Sequence, residues 1–176
     1  MRSVLFNKKH LDGRHLVYWP NGQKRTCGSY GAGVRQAEWT RWYDHGRCEE
    51  IATYKNGELH GPVTRWYPTG ILREEVSYSY GTLNGPWATW HPNGRPAVDG
   101  EWIAGRPNQT FIRYWPNGQM MIRGNFTMGE PIGEWRAWTE AGHLIHRGIF
   151  DRTLLDRLPV EIVGTIDLSS VNAHVA

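Results

Sequence analysis

The chain of 176 residues contains little that would narrow its function. Its two cysteines, Cys27 and Cys48, are too few for a disulfide framework, so we expect free thiols in a reducing compartment. No apolar run approaches the roughly 18 residues of a membrane span, and the first residues do not resemble a signal peptide. These absences predict a cytoplasmic location. The net charge of +3 is too small to indicate a nucleic-acid partner.

Residue patterns typical of catalysis or metal binding are also missing. The closest histidine pair, His143 and His146, has no cysteine or carboxylate ligands at metal-site spacing. Adjacent carboxylates such as Glu49 and Glu50 point to opposite faces of a strand, so they form no acid–base pair within it. No nucleophile elbow or phosphate loop occurs. We therefore expect a protein that is not an enzyme, with no cofactor and no metal.

What the chain has instead is a strict repeat. A glycine returns every 24 residues without insertion, at Gly22, Gly46, Gly70, Gly94, Gly118 and Gly142. An aromatic residue lies four positions before each of these glycines, and another lies eight positions after it. A fixed period of this kind is typical of one small unit stacked on copies of itself.

Turn chemistry predicts the structure of one unit. The segment Trp19-Pro20-Asn21-Gly22 recurs as His91-Pro92-Asn93-Gly94 and Trp115-Pro116-Asn117-Gly118. Proline, asparagine and glycine in this order favour a tight hairpin loop with a bulge. A second glycine lies eleven residues after the first. A third lies fifteen residues after the first, but only in some of the repeats. Together these glycines mark the return connection. One repeat is thus predicted to be strand, tight turn, strand and looser turn.

Alternation predicts which side chains are buried. In the strand after the turn, even offsets from the glycine carry apolar residues such as Leu72 and Met120, then small residues, then the aromatic column, while odd offsets are mostly charged. A small residue two positions before each ring, such as Gly28 or Gly124, is expected to leave room for a neighbouring ring. The strand before the turn carries rings on both faces.

The unit from Tyr54 to Gly70, with its Tyr67-Pro68-Thr69-Gly70 turn, resembles the MORN repeat. It is most similar to a bacterial variant whose units end in an aromatic pair followed by proline, asparagine and glycine. The resemblance implies an all-β fold: an elongated, twisted antiparallel sheet of about six consecutive 24-residue β-hairpin repeats. Gln109 in place of the third glycine, and Thr139-Glu140-Ala141-Gly142 without proline, depart from the pattern.

The repeat pattern stops after Phe150, which predicts a repeat domain at 1–150 and a separate segment at 151–176. The run from Val160 to Leu168 alternates like a strand. Because the terminal unit of a repeat stack needs a cap, a capping role is favoured for 151–176. A tail that binds a partner is the alternative.

A candidate partner-binding surface lies on the strand before the turn. Arg41, Arg65 and Arg113 recur at one offset, between aromatic positions of their units. Arginine beside tryptophan and tyrosine is the composition of protein-binding hot spots. The predicted surface consists of Trp39, Arg41, Tyr43, Arg65, Tyr67, Trp87, Arg113 and Trp115. The alternative is that these arginines stack on rings and only cover the sheet.

The MORN resemblance implies two kinds of function. Members of the bacterial variant class are described as antitoxins or immunity proteins, which implies a cognate toxin or effector protein as partner. MORN domains elsewhere are linked to scaffolding and membrane association, so a scaffold or a module that binds anionic lipid is the alternative. Thr89 and Ala137 interrupt the arginine column, which argues against a continuous groove for a nucleic acid or another polymer.

Overall fold

The computed structural model describes residues 12–150, and every regular element among them is a β-strand. These residues form two compact units, with the division between Thr82 and Leu83. The first unit holds β1 (Gly13–Tyr18), β2 (Lys24–Gly31), β3 (Val34–Trp42), β4 (Cys48–Lys55), β5 (Glu58–Trp66) and β6 (Leu72–Ser79). At the start of the second are β7 (Thr82–Trp90), β8 (Pro96–Ile103), β9 (Arg106–Tyr114), β10 (Met120–Thr127), β11 (Glu130–Trp138) and β12 (Leu144–Ile149). Within each unit, consecutive strands pair antiparallel in chain order, so the predicted all-β hairpin repeat is confirmed.

The Pro-Asn-Gly segments form the predicted hairpin turns. The Gly22 amide donates to the Trp19 carbonyl oxygen at 3.0 Å, and the Gln23 amide donates to Asn21 Oδ1 at 3.0 Å. The next strand then carries one extra residue, because Tyr18 pairs with Lys24 whereas Val17 pairs with Thr26. Each turn therefore ends in a β-bulge, which shifts the alternation of the strand that follows.

The return connection, expected to be looser, is a tight two-residue turn. Asn56 and Gly57 have φ angles of 53° and 87°, and Lys55 pairs directly with Glu58. Two successive residues with positive φ define a type I′ hairpin turn, whose twist matches that of the flanking strands. The expectation of a looser turn was wrong because the residue before the glycine differs from repeat to repeat, so the sequence shows no constant turn motif. All five residues at this position have positive φ: Ala32, Asn56, Tyr80, Ala104 and Met128.

In each unit the core lies on one face of the strands, which we call the core face of that unit. Directly paired residues share a face. In the first unit this face carries Trp39, Ala52 and Val63, and in the second it carries Trp102, Phe111, Ile122, Phe126 and Trp135, all of them buried. Leu72 pairs with Trp66 and not with Arg65, so it lies on the opposite face. The prediction that Leu72 and Met120 share the buried face is wrong, because the bulge after each turn reverses the alternation.

Rings fill the core face above small residues, as predicted. A Cβ built on Gly28 would overlap the indole of Trp39, and one built on Gly124 would overlap the indole of Trp135. The rings also contact each other edge to face, with the centroids of Phe126 and Trp135 at 5.1 Å. Such contacts between aromatic rings stabilise the fold beyond the area that they bury.

The predicted cap at 151–176 lies outside the described residues, and the domain boundary at 150 stays a prediction. Among residues 12–150, no helix is long and apolar enough to cross a membrane.

Candidate functional site

The three predicted anchor arginines occupy one position of the repeat, on the core face and next to the buried residues. The register gives each arginine its neighbours. Arg41 pairs with Glu50, Arg65 with Glu50 and Glu74, and Arg113 with Val98 and Ile122. The same position therefore lies beside carboxylates in the first unit and between aliphatic residues in the second.

Arg41 is the exposed member of this arginine column. Its side chain is 46% exposed, and its Nε lies 2.8 Å from Glu49 Oε2. A second, longer ion pair joins its Nη2 to Glu50 Oε1 at 3.8 Å. The carboxylates hold the guanidinium in one orientation and leave part of its surface available.

Arg65 is enclosed between two carboxylates. Its Nε donates to Glu50 Oε2 at 2.7 Å, and its Nη1 donates to Glu74 Oε2 at 2.5 Å. Burial lowers the pKa of Arg65, but the hydrogen bonds and negative charges of Glu74 and Glu50 outweigh it and raise the pKa above its ordinary value. The charge of Arg65 is therefore satisfied within the chain.

Arg113 has no such partner among the described residues. Its Nε is buried and makes no hydrogen bond, and burial lowers the pKa of its guanidinium. Two further buried nitrogens in the second unit, Trp135 Nε1 and His146 Nε2, also make no hydrogen bond within residues 12–150. In the first unit, by contrast, the Trp39 indole donates to the Ser29 carbonyl oxygen at 3.2 Å. Buried side-chain nitrogens without a hydrogen bond are thus confined to the second unit in the described part of the chain.

The predicted aromatic members of the surface fall into two groups. Trp39 is only 4% exposed and belongs to the core, while Trp87 is half-buried with its ring 4.6 Å from that of Trp102. Tyr43, Tyr67 and Trp115 are half-buried and lie where the strand enters the turn. The Tyr43 hydroxyl donates to the Trp66 carbonyl oxygen at 2.8 Å. Trp115 Nε1 donates to the Trp138 carbonyl oxygen at 3.0 Å, so both side chains join successive turns.

These bonds belong to a series that the sequence reasoning missed. Turn side chains bond to backbone carbonyl oxygens of the next repeat, 23 residues further along the chain. The side chains and their carbonyls are Trp19 with Trp42, Tyr43 with Trp66, His91 with Tyr114, Trp115 with Trp138, Asn21 with Asp44, His45 with Pro68, Asn93 with Pro116, and Asn117 with Glu140. The sequence signal for these bonds was the recurrence, at the repeat positions of Trp19 and Asn21, of side chains that carry a hydrogen-bonding group.

A second group of arginines lies on the opposite face of the second unit. Arg123 pairs directly with Arg136, and Arg136 pairs with Arg147. Glu134 accepts hydrogen bonds from Arg136 Nε at 2.6 Å and Arg147 Nε at 2.9 Å, and these bonds lower the pKa of its carboxyl. Three cations with one carboxylate between them leave this patch positive.

Residues 59–80 match the family model of the MORN repeat variant. The match covers β5 from Leu59, the following turn and β6, which is one hairpin unit of the structure. No curated protein matches the chain. A MORN repeat suggests a repeat-containing protein that binds a partner. Among residues 12–150, no group of three or more histidine, cysteine, aspartate or glutamate side chains is placed to hold a metal.

Proposed function

We propose that this protein is a non-enzymatic protein-binding repeat protein, and that it acts as an immunity protein or antitoxin for a cognate bacterial toxin or effector. One observation carries the binding function. The arginine column of the core face is neutralised within the first unit but not at Arg113, where a half-buried guanidinium has no acceptor among the described residues. Native proteins seldom leave a buried donor unpaired, because burying a polar group without a hydrogen bond costs about 1–3 kcal/mol.

The mechanism is steric occlusion by a surface formed before binding. Arginine held by carboxylates, as Arg41 is by Glu49, loses little side-chain entropy when a partner docks. Arginines and rings at the centre of an interface carry most of the binding energy. The toxin-specific part of the proposal depends on the resemblance to the bacterial MORN variant.

Co-expression with the product of the adjacent gene tests the proposal. The chain should rescue growth when that product is a toxin, and it should be recovered with it on affinity purification. Arg41→Ala and Arg113→Ala should weaken both rescue and capture. Arg123→Ala, an exposed arginine on the opposite face, is the matched control and should leave them unchanged. Equal capture by all three variants, or recovery of abundant housekeeping proteins alone, would contradict the proposal.

A second candidate function, association with anionic lipid, is favoured by the opposite face of the second unit. There the positive patch of Arg123, Arg136 and Arg147 lies beside exposed apolar residues, of which Ile149 is 78% exposed. Basic and apolar side chains together suit a membrane surface. Sedimentation with phosphatidylserine vesicles that weakens as salt rises would support it, and sedimentation independent of phosphatidylserine content would exclude it.

A further inference from the structure

We infer that Arg113 is a docking point for a carboxylate side chain, aspartate or glutamate, of the bound protein. The inference rests on the proposed protein-binding function and names the chemistry of the contact. It is drawn from a position of the repeat at which the described residues show the same arginine both with carboxylate partners and without them.

The occupied form is Arg65, whose two cross-strand neighbours are Glu50 and Glu74. Both carboxylates bond to the guanidinium, at 2.7 Å and 2.5 Å. The carboxylates come from the position four residues after the repeat glycine. In the second unit that position is Val98 or Ile122, so the equivalent guanidinium has two aliphatic neighbours.

The surroundings of Arg113 make an incoming carboxylate favourable. Val98 is 6% exposed and Ile122 is fully buried, so they place apolar surface on both sides of the guanidinium. An ion pair beside apolar surface is screened less than one in open solvent. The planar guanidinium presents donors that match the two oxygens of a carboxylate. The Nε of Arg113 is enclosed, but the residue as a whole is half-buried and its Nη nitrogens are not among the buried unpaired atoms, so an incoming carboxylate reaches the guanidinium from the Nη side.

Acetate is the probe that tests the site in the full-length chain. The guanidinium N–H resonances of the arginines, Nε and Nη, are followed by NMR as sodium acetate replaces sodium chloride at constant ionic strength. The Arg113 resonance should shift downfield and saturate, while that of Arg65 should stay in place because its acceptors are already bound. Arg113→Met should remove the response. No saturable shift of Arg113, or the same shift under chloride alone, would overturn the inference.

The second test introduces a carboxylate next to Arg113, on the neighbouring strand. Val98→Glu places at β8 the group that Glu50 supplies to Arg65 from β4. This variant should abolish the acetate response and reduce capture of the adjacent-gene product. Val98→Gln is the uncharged control and should keep the acetate response. A Val98→Glu chain that still responds to acetate would contradict the inference.

The carboxylates of the chain's own C-terminal segment are the competing occupants. Changing Asp151, Asp156, Glu161 and Asp167 together to amides should leave the Arg113 resonance unchanged without acetate. A shift in that variant would assign the site to the chain itself and overturn the inference. If acetate fails to bind while capture of the protein partner persists, the inference falls and the proposed function stands.

Discussion

The α-carbon of Gly124 lies directly beneath the indole of Trp135, so close that a Cβ at this position would overlap the ring. Trp135 is fully buried, and its ring also contacts Phe126 at 5.1 Å between centroids. The absence of one methyl group on β10 is therefore what allows the largest side chain to enter the core.

Gly124→Ala should destabilise the second unit. Overpacking of a filled core costs about 1–3 kcal/mol, and here the added atom meets a ring that is enclosed on its other sides. Urea unfolding followed by tryptophan fluorescence measures the change. Gly148→Ala, at the same repeat position, is the control, because its Cβ would lie 3.4 Å from the nearest ring atom of His146. Equal losses in the two variants would contradict the packing account.

Arg65→Met should destabilise the first unit by about 2–4 kcal/mol, because it removes the guanidinium that the half-buried carboxylates of Glu50 and Glu74 share. The matched variant Arg41→Met should cost less than about 1 kcal/mol, since that side chain is 46% exposed and its pairs are screened by solvent. Chemical denaturation measures both. The account fails if the order of the two losses is reversed.

Ala37→Gly and Gln109→Gly should stabilise the chain by a few tenths to about 1 kcal/mol each. These residues have φ angles of 56° and 63°, at a repeat position where Gly61 and Gly85 have φ angles of 106° and 120°. The free energy gained by relieving the left-handed strain exceeds the entropic cost of the greater freedom that glycine has in the unfolded chain. Thermal unfolding measures the shift, and Gly61→Ala should move it in the opposite direction. A lower midpoint for both glycine variants would count against this explanation.

Stability should fall in acid with a contribution from Glu134. Hydrogen bonds from Arg147 and Arg136 hold the pKa of this carboxyl below its ordinary value of 4.5. A carboxyl with a lowered folded-state pKa stabilises the fold above the unfolded-state value, and the contribution is lost as the pH falls through the folded-state value. The urea midpoints of the native chain and Glu134→Gln should therefore converge as the pH falls from about 6 to about 3. A constant difference across that range would exclude the contribution.

The period of the glycines was enough to predict the hairpins, the aromatic columns and the small residues under the rings. It could not predict the side of the sheet on which Leu72 lies, because one bulged residue after the turn reverses the alternation. The type I′ turns were missed for a related reason. Asn56-Gly57 is a recognisable type I′ turn sequence, but Tyr80 and Met128 have the same positive φ although their residue types do not favour it.

The candidate site was predicted only in outline. The arginine column was visible in the sequence, but its division into satisfied and unsatisfied members depends on which residues lie across the strands. The signal was available at the position four residues after the repeat glycine, where Glu50 and Glu74 give way to Val98 and Ile122. Trp39 was predicted to lie on the binding surface but is buried in the core, because composition alone does not distinguish a core ring from an accessible one.

The side-chain bonds between successive Pro-Asn-Gly turns run in one direction, from a side chain to a carbonyl nearer the C-terminus, as from Trp115 to Trp138. The bonds between successive return turns run in the other direction, as from the Gly81 amide to the Leu59 carbonyl oxygen at 2.8 Å. Removing a unit at the C-terminal end would therefore leave an indole N–H or a phenol O–H without its acceptor, and removing one at the N-terminal end would do the same to a backbone amide. Each internal repeat thus depends on the repeat before it through one set of turns and on the repeat after it through the other.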